Sequence, residues 1–346
     1  MKNNQDNQDN QDNQDNQDNQ DNKDNQDNKD NIIQGLWIGA RLTRFEYNSI
    51  KSYIKQGYEY HLYTYDKVKN IPEGVIIKDG NDILDKKYIF YYEGSIAPFS
   101  DLFRYKLLYE KGGVWTDCDI ICINRMPIGK QYEYIFVAER TILKGAFASC
   151  IKTPPFTCKK KKVLNSFIKC PASSKIMKIM FEKSLKYRND YITSLKSKAK
   201  SLKSIKKSIS IKKSIFNKKS ISNKKSISNK IDIGGKNIGL KSYHWGGGSK
   251  TLESVINKLG LIKYIVEPEF AFPINWWDFK YAFLDTKYIP PTKGWTTGTY
   301  IDDIFKKNNG IYLVVIHNGW IKNHNIDKNV KYPDNSLFEQ LDRYIN

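Results

Sequence analysis

The chain has 346 residues, with 57 Lys and Arg against 37 Asp and Glu, and a formal net charge of +20. No uninterrupted apolar run approaches the roughly 18 residues of a membrane-spanning helix, and no apolar stretch follows a basic start as in a signal peptide, so the sequence predicts a cytoplasmic address. Its five cysteines form an odd set without a CxxC pair or neighbouring histidines, which argues against a zinc site and a disulfide framework and for reduced thiols.

Residues 2–31 are repeats of Gln, Asp and Asn without one apolar side chain. Such a tract cannot bury enough surface to offset its ordering entropy, so 1–31 reads as a disordered tail. From Ile32 onward, short apolar or aromatic strands recur between helical stretches: Ile32–Ile38, Tyr60–Tyr65, Tyr88–Tyr92, Val114–Thr116, Ile120–Ile123 and Tyr134–Ala138. This alternation predicts a mostly parallel α/β sheet, whose ligands bind at the carboxyl ends of strands. Residues 160–193 read as helix, with Ile176, Ile179, Met180 and Leu185 at core spacing. Between Ser194 and Lys230 lies a low-complexity insert with 13 lysines and no acid, which supplies more than half of the net charge. Its isoleucines do not form a clean helical stripe, and it reads as a solvated loop. It offers a weak contact with an anionic surface. With Phe216 as its one aromatic it has little for base stacking, and no specific nucleic-acid partner is expected. The catalytic body is thus 32–193 and 231–346. The Asn- and Lys-rich composition points to a protist or a large DNA virus of protists; for a virus, the place of action would be the viral factory or virion.

The most informative stretch runs from Ser100 to Asp119. Ser100 suits an N-cap, Asp101 the first helical turn, and Asp101 and Arg104 share one helix face at i, i+3. Gly112-Gly113 stops the helix, and Val114, Trp115 and Thr116 form a strand that delivers Asp117 and Asp119. In extended chain, residues i and i+2 point the same way, so both carboxylates can face one hard divalent cation such as Mg²⁺ or Mn²⁺. Trp37 and Asp117 both fall at strand ends. Toward the carboxyl end, His317-Asn318-Gly319-Trp320 follows the apolar strand Ile311–Ile316.

This constellation resembles the sugar-binding region of DXD-containing glycosyltransferases with the GT-A fold. The group includes outer-chain-initiating mannosyltransferases, capsular polysaccharide enzymes and the catalytic domains of clostridial glucosylating toxins. Ile33-Gln34-Gly35-Leu36-Trp37-Ile38-Gly39 is similar to its first strand and turn, and Ser52-Tyr53 with Gly57 to Tyr65 to its next helix and strand. Gly247 to Leu261 is similar to its Gly-Pro-x-x-Leu helix without the proline, Pro268 to Trp277 to its Pro-x-x-Phe-x-Pro strand, and His317 to Trp320 to its terminal His-x-x-Trp.

The resemblance implies a GT-A fold, a Rossmann-like nucleotide-sugar-binding sheet with flanking helices. It implies a hexosyltransferase that moves a sugar from a nucleotide-diphosphate sugar, UDP-linked ahead of GDP-linked, to a glycan, lipid-linked or protein acceptor with retention of configuration. Asp119 would ligate the metal directly, and Asp117 through water and toward the ribose. His317 or Asn318 would add a third ligand. Asp101 and Arg104 would hold donor-sugar hydroxyls, Trp37 would stack on the base, Trp115 would line the sugar pocket or pack in the sheet, and Trp320 would donate to the β-phosphate. An inverting enzyme would need a carboxylate base, for which Glu267 and Asp278 are candidates. The alternative is a catalytically silent nucleotide-sugar-binding protein of the same fold.

Overall fold

The computed structural model describes residues 31–129, 131–139, 162–219, 246–290 and 298–346. The tail 1–30, residues 220–230 of the insert, Cys150 and Cys158 lie outside the described residues. Seven strands form the main sheet: β1 (Ile32–Leu36), β2 (Glu59–Thr64), β3 (Val75–Asp79), β4 (Gly113–Thr116), and, after a short β5 (Ile120–Cys122), β6 (Ile135–Glu139), β7 (Lys162–Cys170) and β8 (Ile265–Val266). Their spatial order is β3-β2-β1-β4-β7-β6-β8, and β7 alone runs antiparallel to its neighbours. The expected α/β sheet, mostly parallel with flanking helices, is what the chain forms.

The sheet centre is dry. Ile33, Tyr60, Leu62, Val114 and Val137 have no exposed surface and form one core with Phe167 and Leu313. Strands buried on both faces read as apolar runs rather than alternations, which is why β1 and β4 were legible. A second cluster joins Phe45, Phe279, Phe283, Phe338, Val314 and Ile316. It lies where α1 (Arg44–Lys55) meets the C-terminal segment, and Arg44 bridges to Glu339 at 2.6 Å and to Asp342 at 3.1 Å.

Four sequence readings are corrected. Residues 162–170 are strand, not helix: Val163, Phe167, Ile168 and Cys170 are buried in β7, and helix begins only at Lys175. Tyr88–Tyr92 is not a strand but a 3₁₀ turn, Lys86–Tyr88, followed by an isolated bridge from Tyr92 to Ser95. Helix α2 spans Ala97–Lys111, a full turn earlier than a Ser100 cap allows, because Pro98 is accommodated in the first turn, where its missing N–H costs nothing. Helix α3 runs Lys175–Lys219, so 194–219 of the insert is helical rather than loop. No Gly or Pro interrupts that span and its many lysines are good helix formers. By contact the chain falls into two units, one comprising residues up to Phe181 and from Gly247 on, the other Glu182–Gly246.

Gly112 ends α2 with φ 66° and ψ −155°, and a Cβ there would lie 2.3 Å from the backbone nitrogen of Ala172. Both the left-handed backbone and the close strand packing call for glycine. Gly112→Ala is expected to destabilise the protein by at least about 2 kcal/mol in urea denaturation, and a loss below about 0.5 kcal/mol would contradict this account.

Candidate active site

Strand β4 ends at Thr116, and the turn beyond it carries the carboxylate pair. The backbone N–H of Asp117 donates to the Ser166 carbonyl at 2.8 Å, which fixes the turn against β7. Strand β9 (Leu313–Val315) pairs antiparallel with β5, and the Ile316 N–H donates to the Asp119 carbonyl at 2.8 Å. A segment 200 residues distant is thereby brought beside the pair.

Arg104 is the electrostatic centre. Its side chain is 3% exposed and contacts Asp101 at 3.1 Å and Asp117 at 3.0 Å. It also donates to the Asn165 carbonyl and lies 5.1 Å from the centre of the Trp115 ring. Burial works against its charge, yet the carboxylates of Asp117 and Asp101 hold its pKa above the ordinary value. Asp101 in turn accepts from Asn165 Nδ2 at 2.8 Å, and Asn165 Oδ1 accepts from Ser249 Oγ at 3.2 Å. The i, i+3 pair that looks like a modest surface interaction in sequence is therefore part of a buried network.

Trp115 has no exposed surface, so it packs in the sheet rather than lining the pocket. Its Nε1–H donates to Asp117 Oδ1 at 2.9 Å and orients that carboxylate. Burial raises the pKa of Asp117 against the opposing pull of Arg104 and the Trp115 hydrogen bond. Burial and the neighbouring charge of Asp117 push the Asp119 carboxyl up to about 8. Asp119 Oδ2 accepts from Asn318 Nδ2 at 2.7 Å, and Asn318 Oδ1 is buried without a hydrogen-bond partner. The ring of His317 lies 5.7 Å from Phe272 and 5.0 Å from Phe279, its Nε2 buried without a hydrogen-bond partner; burial pushes its pKa down to about 4. Trp320 stacks on His324 at 3.8 Å.

A pocket of about 400 Å³ opens onto these groups, and Asp117, Asp119, His317, Asn318 and Trp320 all line it. Asp101, Arg104 and Trp115 stand behind Asp117, outside the lining. Trp37, half-buried at the end of β1, packs against the core, and its Nε1 is buried without a hydrogen-bond partner. The candidate bases are absent from the lining: Glu267 is exposed, and Asp278 is buried and accepts from Asn275 at 3.1 Å. Asn165, Glu139 and Trp276 were missed. Asn165 sits in a stretch read as helix, while Glu139 and Trp276 become site residues only through the pocket. A second cavity, of about 410 Å³, lies by Gln34, His61, Glu110 and Gly112 and contains none of the predicted residues.

Among the described residues, no three His, Cys, Asp or Glu side chains converge as a metal cluster. The donor set here is different: two carboxylates and the orphaned amide oxygen of Asn318. Hard oxygen donors with room for water fit Mg²⁺ or Mn²⁺.

Residues 44–135 match a family described as glycosyltransferase sugar-binding region containing DXD motif. The matched segment contains Asp101, Arg104, Asp117 and Asp119. Among curated proteins, nothing matches the sequence. A solved structure titled PaToxG Glycosyltransferase is similar with a TM-score of 0.37 and 14% identity, over 68% of this chain and 72% of that one. Among the described residues no helix is long and apolar enough to cross a membrane.

Proposed function

We propose that this chain is a metal-dependent glycosyltransferase that moves a sugar from a nucleotide-diphosphate sugar to a hydroxyl acceptor with retention of configuration. The observation that carries the reading is the convergence of Asp117, Asp119 and Asn318 in one pocket, with the carboxylate pair inside the matched DXD region. Asp119 and Asn318 would hold the cation, and Asp117 would reach it through water and face the ribose. The contact between Asn318 and Asp119 favours the amide over His317 as the third ligand, since the imidazole packs against Phe272 and Phe279. When bound, a divalent ion supplies a Lewis acid for the charge that grows on the leaving diphosphate. The chain's own residues orient and exclude water. Arg104 and Trp115 fix Asp117, while Asp101, held by Asn165, steadies Arg104 from behind. Trp37 at the end of β1 would stack on a uracil base.

Donor cleavage by the purified protein, assayed across UDP- and GDP-sugars with Mn²⁺, Mg²⁺ or EDTA, tests this directly. Metal-dependent release of nucleotide from one donor is expected, and the anomeric configuration of the transfer product decides retention. No turnover, with no metal-dependent nucleotide binding, would leave the silent binding protein.

Proton and metal compete at Asp119. The folded chain keeps a proton there up to about pH 8, whereas the unfolded chain releases it in the ordinary carboxylate range. The metal-free protein therefore loses stability as pH rises through that window, and a bound cation removes the loss. Thermal stabilisation by Mn²⁺ should grow from pH 6 to pH 8 in the native chain and be flat in Asp119→Asn. Equal stabilisation of the native chain at both pH values would contradict the assignment.

A further inference from the structure

The donor reading leaves part of the pocket without a task. Trp276 lines it and is 39% exposed, whereas every other described tryptophan is buried or half-buried. This residue opens a 3₁₀ segment, Trp276–Phe283, whose preceding Asn275 donates to the buried Asp278, and the Trp277 ring meets it edge-on at 5.6 Å. Glu139 lines the same pocket from the end of β6. Its side chain is only 10% exposed and is paired with Lys162, its register partner on β7. The indole and the carboxylate thus both border the pocket that holds Asp117 and Asp119.

We propose that Trp276 and Glu139 form an acceptor subsite for a pyranose, so that the acceptor is a glycan rather than a protein side chain. This rests on the glycosyltransferase reading above. A pyranose offers an apolar C–H face, which packs on an aromatic face, and a rim of hydroxyls, which donate to a carboxylate. A serine or threonine side chain offers one hydroxyl and no such face. In the transfer, the acceptor oxygen bonds to the anomeric carbon. The bond from that carbon to the diphosphate breaks, its electron pair stays on the phosphate oxygen, and the hydroxyl proton follows to that oxygen. Glu139 holds the acceptor hydroxyls, and Trp276 holds the ring.

The test measures binding and transfer with methyl glycosides of glucose, galactose and mannose, their octyl counterparts, and a pool of Ser/Thr peptides. At least one methyl glycoside should quench tryptophan fluorescence of the native chain and accelerate nucleotide release from the donor. Its binding should weaken by about tenfold or more in Trp276→Ala, recover in Trp276→Phe, and weaken about tenfold in Glu139→Gln. A stronger response to octyl than to methyl glycosides would identify a lipid-linked sugar as the source of the same chemistry. Acceleration by peptides and by no glycoside overturns the proposal, as does a Glu139→Gln variant that loses turnover at unchanged glycoside affinity. Metal-dependent nucleotide binding, measured separately by calorimetry on the native chain, tells failure of this subsite from failure of the donor reading. Melting curves for each variant separate lost binding from lost folding.

Discussion

Asp119→Asn is expected to lower metal-dependent donor turnover by about a thousandfold or more while leaving the protein folded. The carboxylate is the pocket's best placed metal ligand, bound to Asn318 at 2.7 Å and half-buried near Asp117. Losing a cation that offsets several kcal/mol of developing charge removes that much transition-state stabilisation, and about 4 kcal/mol is about a thousandfold. The amide keeps the shape of the carboxyl and needs no proton taken up on folding, so above the ordinary carboxylate range the metal-free variant should melt at or above the native temperature. Nucleotide release and thermal melting measured together check both halves. Activity within tenfold of native would sink the metal role, and a variant that melts well below native would sink the electrostatic account.

Arg104→Met carries the second large effect, this time on the fold as well as the site. The guanidinium is the one described cation in contact with both Asp101 and Asp117, and all three side chains are mostly withdrawn from water. Deleting it removes the positive charge that faces both carboxylates, and breaking a buried pair this way costs about 3–5 kcal/mol. A drop of about 10 °C in melting temperature is the expected scale for a domain of this size. Arg104→Lys should recover part of the loss at most. One ammonium cannot reach the Asn165 carbonyl, Asp101 and Asp117 in the planar fork that arginine presents. Adding Asp101→Asn to Arg104→Met should recover some stability, because the neutral amide no longer needs the missing charge. A melting shift worth under 1 kcal/mol for Arg104→Met would show that the network is incidental.

The sequence made the centre of the sheet legible because strands buried on both faces must be largely apolar runs, and β1, β4 and β6 are such runs within a residue or two. It failed on β7. Lys162 to Cys170 runs polar and apolar residues in pairs (Val163-Leu164, Asn165-Ser166, Phe167-Ile168) instead of alternating, beside a lysine-rich stretch, and its strand state depends on β4 and β6 lying on either side. The start of α2 was misplaced because Ser100 is a good cap by type, while Pro98 and the turn before it decide where the helix begins.

For the site, residue type and local spacing determined the Asp117–Asp119 pair and the shared face of Asp101 and Arg104, since strand and helix periods act within a few residues. Everything that depends on distant chain was decided by the tertiary structure. The pairing of β9 with β5 delivers Asn318 to Asp119, β7 delivers Asn165 to Asp101, and the turn after Asn275 delivers Trp276 to the pocket. Burial is likewise a property of the whole fold. It turned Trp115 from a pocket candidate into the support of Asp117, and it sets the pKa of Asp119, because desolvation is fixed only once every neighbouring element has packed.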